Sequence, residues 1–138
     1  YHALLSGIPE DWLFEEILAG RSMYITSPVH NFFCSAIVAG ILPIAAGVAA
    51  GLKRLGDTTC KVWCFIGDMT ERTGIFHEFA QYCVGHELPV KVVVEDNGLS
   101  TNSPTRKVWG ESIRTIYHSL YQYDRVWPHV GVGQHVNF

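Results

Sequence analysis

Residues 67–97 read GDMTERTGIFHEFAQYCVGHELPVKVVVEDN. Before them, Val62-Trp63-Cys64-Phe65-Ile66 is a short apolar run that stops at Gly67-Asp68. Inside the stretch, Val90-Lys91-Val92-Val93-Val94 is a second run, closed by Glu95-Asp96-Asn97-Gly98. Runs of this length, rich in β-branched residues and bounded by turn residues, predict buried strands. Between them, residues 73–86 carry Ile75, Phe76, Phe79, Ala80, Tyr82 and Cys83 at helical spacing, and predict a crossover helix. A strand–helix–strand unit of this kind makes parallel neighbours, and ligands gather at the carboxyl edge of parallel sheets. Asp68 and Asn97, 29 positions apart, each follow one strand and would meet at that edge.

A carboxylate, an amide oxygen and a nearby backbone carbonyl are hard oxygen ligands. They suit Mg²⁺ or Ca²⁺, and Mg²⁺ leaves several positions to waters or phosphate oxygens. Gly-Asp after a strand and Asn-Gly also serve as plain turns. Their pairing across one strand–helix–strand unit favours a metal–diphosphate site.

Working outward, residues 2–7 predict a helix end stopped by Gly7. A second helix enters at Pro9-Glu10-Asp11, with Trp12, Leu13, Ile17 and Leu18 at helical spacing, and closes at Gly20-Arg21. Residues 22–35 lack periodicity and predict a long loop holding His30, and loops of that length are often functional. His30 there either faces a substrate or is simply exposed. Residues 36–50 are apolar and glycine-rich, too short for a membrane span and interrupted by Pro43, and predict a buried helix. Residues 43–55 read as a helix rich in small residues, which permit close backbone approach at a cost in helix stability. His77 has no carboxylate or histidine in register, and Arg72 reads as surface, with the diphosphate charge as its alternative partner. Residues 99–105 read as polar loop. Residues 108–123 predict a helix, with Ile113, Ile116, Tyr117, Leu120 and Tyr121 at suitable spacing. Residues 124–138 form an aromatic, glycine-broken tail expected to pack on a partner.

With 138 residues, one domain over 1–138 is expected. The chain is 48% hydrophobic and 17% charged, with mean hydropathy +0.13, enough for a core and for an apolar face toward a partner chain. The net charge of −3, with no basic stripe, argues against nucleic acid. Cys34, Cys60, Cys64 and Cys83 form no C-x-x-C pair, and a reduced, cytoplasmic setting is expected. No signal-type segment stands at Tyr1, and the missing initial Met fits a fragment of a longer chain.

The GDM…EDN pattern resembles the thiamine diphosphate signature, Gly-Asp-Gly followed one strand–helix–strand unit later by Asn. The flanks are similar to alpha subunits of 2-oxo-acid and acetoin dehydrogenases: residues 39–47 (AGILPIAAG), Gly74-Ile75-Phe76-His77-Glu78, Leu88-Pro89-Val90, and residues 16–21 (EILAGR). Asn97-Gly98-Leu99 with Pro104-Thr105 also resembles the amino-terminal half of transketolases.

The resemblance implies an α/β fold with a mainly parallel sheet and helices on both faces, the thiamine-diphosphate-binding fold. It implies that Asp68 and Asn97 bind Mg²⁺ through side-chain oxygens and Leu99 through its carbonyl. Gly67, Met69 and Thr70 would line the diphosphate through backbone groups, and Ile37, Val38 and Ala39 would lie near the aminopyrimidine ring. His30 and Ser35 fall where the family's substrate-facing loop stands. A pyrimidine-binding partner subunit, with the glutamate that activates the cofactor, is implied too, giving a hetero-oligomer. The substrate would be a 2-oxo acid, or a sugar phosphate on the transketolase-like alternative.

Four features depart from the family pattern. Met69 replaces the second glycine of the signature, which lets backbone approach a phosphate closely. Arg72-Thr73 stands where an Asn-Glu pair is common. The histidine usual near Ser35 is absent, and a diphosphate-gripping Tyr-Arg pair would fall at or before Tyr1. These departures sustain a further alternative, a non-catalytic scaffold that keeps the fold. An Mg²⁺-dependent phosphate-binding domain unrelated to thiamine is the last alternative.

Overall fold

A computed structural model describes residues 1–111 and 118–129. The chain divides into two compact units, Tyr1–Ile41 and Leu42–Phe138.

In the first unit, α1 (His2–Leu5) ends before Gly7, whose φ of +88° is a conformation glycine adopts without strain. Helix α2 (Glu10–Leu18) follows Pro9, with Glu10 and Asp11 in its first turn, where acids suit the helix dipole. Its last turn is tied by a bidentate Arg21–Glu16 pair. The stretch read as a long loop contains a small antiparallel hairpin, β1 (Thr26–Ser27) with β2 (Phe32–Phe33). Asn31 reverses its chain in the left-handed region, at φ +50°, which asparagine tolerates better than most residues. Ala3, Ile8 and Ile25 form the core here, with Trp12, Leu13, Phe32 and Cys34 packed around them.

The second unit opens on α3 (Ile41–Arg54). The expected buried helix over 36–50 is corrected: residues 36–40 are bends and turns, and α3 buries one face only. Leu42, Ala45 and Ala49 are inside, while Ile44 and Val48 are exposed. At its far end Lys53 donates to the His86 carbonyl at 2.7 Å.

Strand β3 (Val62–Gly67) leads into a single-turn helix, α4 (Asp68–Glu71). Crossover helix α5 (Gly74–Gly85) follows, and its Thr73 N-cap oxygen accepts from the Phe76 amide. Strand β4 (Val90–Asp96) lies parallel to β3, with Cys64 opposite Val92 and Ile66 opposite Val94. Those four side chains are buried, as are Phe76, Phe79 and Cys83 along α5. Full burial of a side chain the size of Phe76 contributes about 2–3 kcal/mol.

The polar loop read over 99–105 is a short hairpin, β5 (Leu99–Ser100) with β6 (Ser103–Pro104), leading into α6 (Thr105–Trp109). The helix read over 108–123 is corrected at its carboxyl part. Residues His118–Gln122 form strand β7, parallel to β4, with Val94 opposite Leu120. Pairing satisfies backbone groups along the free side of β4, and this outweighs the local helical spacing of apolar residues. Residues 112–117 of that reading, and 130–138 of the tail, lie outside the described residues. The sheet order is β3-β4-β7, all parallel and flanked by helices, which is the mainly parallel α/β class expected. Among the described residues no helix is long and apolar enough to cross a membrane.

Candidate cofactor and metal site

The parallel register sets the geometry. Gly67, the last residue of β3, stands opposite Glu95 of β4. The chain therefore leaves both strands at the same edge, with Asp68 on one side and Asn97 on the other.

Asp68 begins α4 and is only 3% exposed. Its Oδ2 is buried with no hydrogen-bond partner. A carboxylate oxygen held away from water without a partner is costly, and a bound cation would offset that cost. Gly67 before it has an ordinary φ of −76°. A Cβ added there would meet no protein atom within 4 Å. Neither backbone conformation nor packing requires glycine at this position, so the space is open to a ligand.

Asn97 sits in a tight turn. Its Oδ1 accepts from the Leu99 amide at 3.0 Å, and its Nδ2 donates to the Tyr123 hydroxyl at 3.1 Å. Gly98 at φ +70° allows the reversal, and its carbonyl accepts from the Thr105 amide at 3.0 Å. An amide oxygen has two acceptor positions, so Asn97 Oδ1 keeps one beyond the turn. Asp96 beside it is used internally: it accepts from the Gly98 amide at 3.0 Å and from Gln122 Nε2 at 3.2 Å.

Met69 and Thr70 are half-buried in α4. Their carbonyls accept from the amides of Arg72 and Thr73, whereas first-turn amides of a helix have no intrahelical acceptor. An open hollow of about 440 Å³ is lined by Asp96, Asn97, Gly98, Gln122, Tyr123 and Asp124. It reaches Asn97 and leaves Asp68 covered. Among the described residues no three His, Cys, Asp or Glu side chains stand together as metal ligands. A cation at this edge would draw on one carboxylate, an amide oxygen and backbone carbonyls, the mixed oxygen set Mg²⁺ accepts together with water and phosphate.

The surface reading of Arg72 is corrected. Its side chain is 19% exposed, and its Nε lies 3.8 Å from Glu71 Oε2. Glu71 had no marked role in the sequence, yet it is buried and its Oε1 stands 3.1 Å from His118 Nε2. The ring of His118 also meets Phe76 edge-on, with centroids 6.1 Å apart. Glu71, His118 and Tyr123 escape a sequence reading because their partners are distant in the chain. The nearest available signal was an acid two positions before the N-cap of an apolar helix. His77 is exposed, as read.

The remaining expected residues belong to the first unit and are placed within it. His30 Nδ1 is 2.7 Å from the hydroxyl of buried Ser27. The Ser35 hydroxyl accepts from the Ile37 amide at 3.1 Å. Ile37 and Val38 are exposed, whereas Ala39 is buried in the left-handed region at φ +62°.

Fold and edge together define a parallel α/β domain with oxygen-bearing side chains just beyond two neighbouring strands. The chain is similar to two curated proteins, each named pyruvate dehydrogenase E1 component subunit alpha. That of Porphyra purpurea is 34% identical over 113 residues, 70% of this chain and 33% of the relative. That of Zymomonas mobilis subsp. mobilis is 30% identical over 89 residues, 64% of this chain and 25% of the relative. The chain thus spans a third or less of the length of these relatives. No protein-family model matches it. The similarity is to alpha subunits of a 2-oxo-acid dehydrogenase, in agreement with the family that residues 16–21, 39–47, 74–78 and 88–90 resemble.

Proposed function

We infer that this chain is the diphosphate-binding part of a thiamine diphosphate- and Mg²⁺-dependent enzyme, of the kind found in 2-oxo-acid dehydrogenase alpha subunits. The observation that carries this reading is the orphaned, buried Oδ2 of Asp68, set at the carboxyl edge of β3 beside the Asn97–Leu99 turn that follows β4. Asp68 and Asn97 would hold Mg²⁺ through their side-chain oxygens and Leu99 through its carbonyl. Gly67, Met69 and Thr70 would present backbone groups to the diphosphate. When bound, thiamine diphosphate supplies an electron sink for breaking a carbon–carbon bond next to a carbonyl.

The proposed roles of His30 and Ser35 toward substrate, and of the Ile37, Val38 and Ala39 backbone toward the aminopyrimidine ring, rest on the family resemblance. A partner subunit carrying the pyrimidine-binding half completes the proposal. It is supported by the exposed apolar residues of the second unit, among them Ile44, Val48, Trp63 and Tyr121. Four cysteines without a disulfide support a reducing, cytoplasmic setting.

Calorimetric titration of thiamine diphosphate with Mg²⁺ tests the reading, using the chain alone and with the product of the adjacent gene. Magnesium-dependent binding that is lost in Asp68→Ala and in Asn97→Ala is the expected result. No binding in the paired sample would overturn it.

A further inference from the structure

The Asn97 amide is oriented from both ends. The Leu99 N–H, 3.0 Å away, is a pure donor, so the atom facing it is Oδ1. The opposite atom is then Nδ2, and at 3.1 Å the Tyr123 hydroxyl oxygen accepts from it. The terminal torsion of asparagine is soft and roughly two-fold, so a single hydrogen bond leaves the amide plane free to swing about that contact. Two opposed hydrogen bonds fix the plane and with it the direction of the second lone pair of Oδ1.

Tyr123 is itself held firmly. It follows β7 directly, and its amide donates to the Asp96 carbonyl at 3.0 Å. Its ring stacks on Tyr121, with centroids 5.7 Å apart and planes 25° apart. Strand β7 is also fastened at its start, where His118 meets Glu71 on the same single-turn helix that begins with Asp68. The segment from His118 to Tyr123 thus contacts both the helix that begins with Asp68 and the turn that holds Asn97.

Resting on the reading given under Proposed function, we propose that Tyr123 is a positioning residue for the cation, fixing the Asn97 amide so that its oxygen faces Mg²⁺. The hydroxyl is the active feature and the ring is its mount. An aspartate at position 97 would carry two equivalent oxygens, so the Tyr123 hydroxyl, there a donor, would no longer decide which kind of atom faces the cation.

The test follows thiamine diphosphate binding by calorimetry across a magnesium titration, with the chain paired with its partner subunit. Tyr123→Phe keeps the ring and removes the acceptor. Its half-saturating Mg²⁺ concentration is expected to rise about fivefold, with the ligand-free melting temperature lowered by no more than about 5 °C. In an Asn97→Asp background the same substitution is expected to shift the midpoint by less than about twofold, because coupling is lost when the oriented group is gone. An unchanged midpoint in Tyr123→Phe, or an equal shift in both backgrounds, would overturn the role of Tyr123 and leave the cofactor reading standing. Failure of the unsubstituted protein to bind in a magnesium-dependent way would overturn both.

Discussion

His118 Nε2 and Glu71 Oε1 stand 3.1 Å apart, and both side chains are only 7% exposed. The contact joins the start of β7 to the single-turn helix that follows β3, so it braces the edge on which Asp68 and Asn97 lie. Removing the His118 ring takes this partner from the buried Oε1, while Arg72 Nε stays 3.8 Å from Oε2. His118→Ala is expected to lower unfolding free energy by about 2 kcal/mol, the cost of a buried polar group losing one partner. Glu71→Gln, which keeps an acceptor, is expected to cost about 1 kcal/mol. Urea unfolding of the two variants measures both, and equal losses would show that the charge of Glu71 has no part in the contact.

Asp68 is expected to oppose stability in the absence of ligand. Its Oδ2 has no partner, so Asp68→Ala removes an unsatisfied polar atom together with the side chain. The melting temperature of the ligand-free variant is expected to equal or exceed that of the parent. The rise in melting temperature on adding Mg²⁺ and thiamine diphosphate is expected to vanish in the variant. A large loss of ligand-free stability would assign Asp68 to the scaffold.

Gly67→Ala separates packing from binding. The added methyl meets no protein atom within 4 Å, so thermal unfolding should be unaltered. It points into the space at the end of β3, where it is expected to weaken thiamine diphosphate about tenfold, or about 1.4 kcal/mol. Unaltered affinity would show that the diphosphate does not approach this residue.

Asp57 caps the turn into β3. Its Oδ1 accepts from the Thr59 amide, the Thr59 hydroxyl and the Cys60 amide at 2.8–2.9 Å. The Cys60 thiol, and then these neighbours, hold its carboxyl well below the ordinary value of 3.8. A pKa lowered by folding contributes stability that is complete above the unfolded value and fades as pH falls below it. Unfolding free energy measured downward from about pH 4 is therefore expected to fall less steeply in Asp57→Asn than in the parent. Identical acid limbs would remove Asp57 from the account.

Three of the four thiols divide sharply by environment. Burial first, and then the neighbouring Cys83, push the Cys64 thiol up to about 12, and Cys83 itself is 1% exposed. Neither is expected to react with a disulfide reagent at mildly alkaline pH until the protein unfolds, because the thiolate is the reactive form. Cys60 is exposed, but its hydrogen bond to Asp57 raises its pKa. Asp57→Ala is accordingly expected to speed its labelling.

The strand–helix–strand unit was legible because each of its signals is local. Two apolar runs, the helical spacing of Ile75, Phe76, Phe79 and Cys83, and the turn residues after each strand agree with one another, and β3, α5 and β4 follow them. The error at 118–122 has the opposite origin. Ile113, Ile116, Tyr117, Leu120 and Tyr121 are spaced as on a helix, while the outcome at 118–122 depends on β4, more than 20 residues earlier in the chain. The candidate site divides in the same way. Asp68 and Asn97 announce themselves beside strand ends, whereas Glu71 and Tyr123 acquire their importance only from partners that the sheet delivers.

Along β3, alternate residues take opposite faces: Cys64 and Ile66 are buried, while Trp63 is 58% and Phe65 37% exposed. Parallel sheets are ordinarily covered on both faces, and β3 is the outer strand of the described sheet. An outer strand with aromatic side chains in solvent invites association with other chains. Handling in solution therefore becomes part of this molecule's chemistry: the Trp63–Phe65 face is the surface through which copies of the chain are expected to associate when it is produced alone.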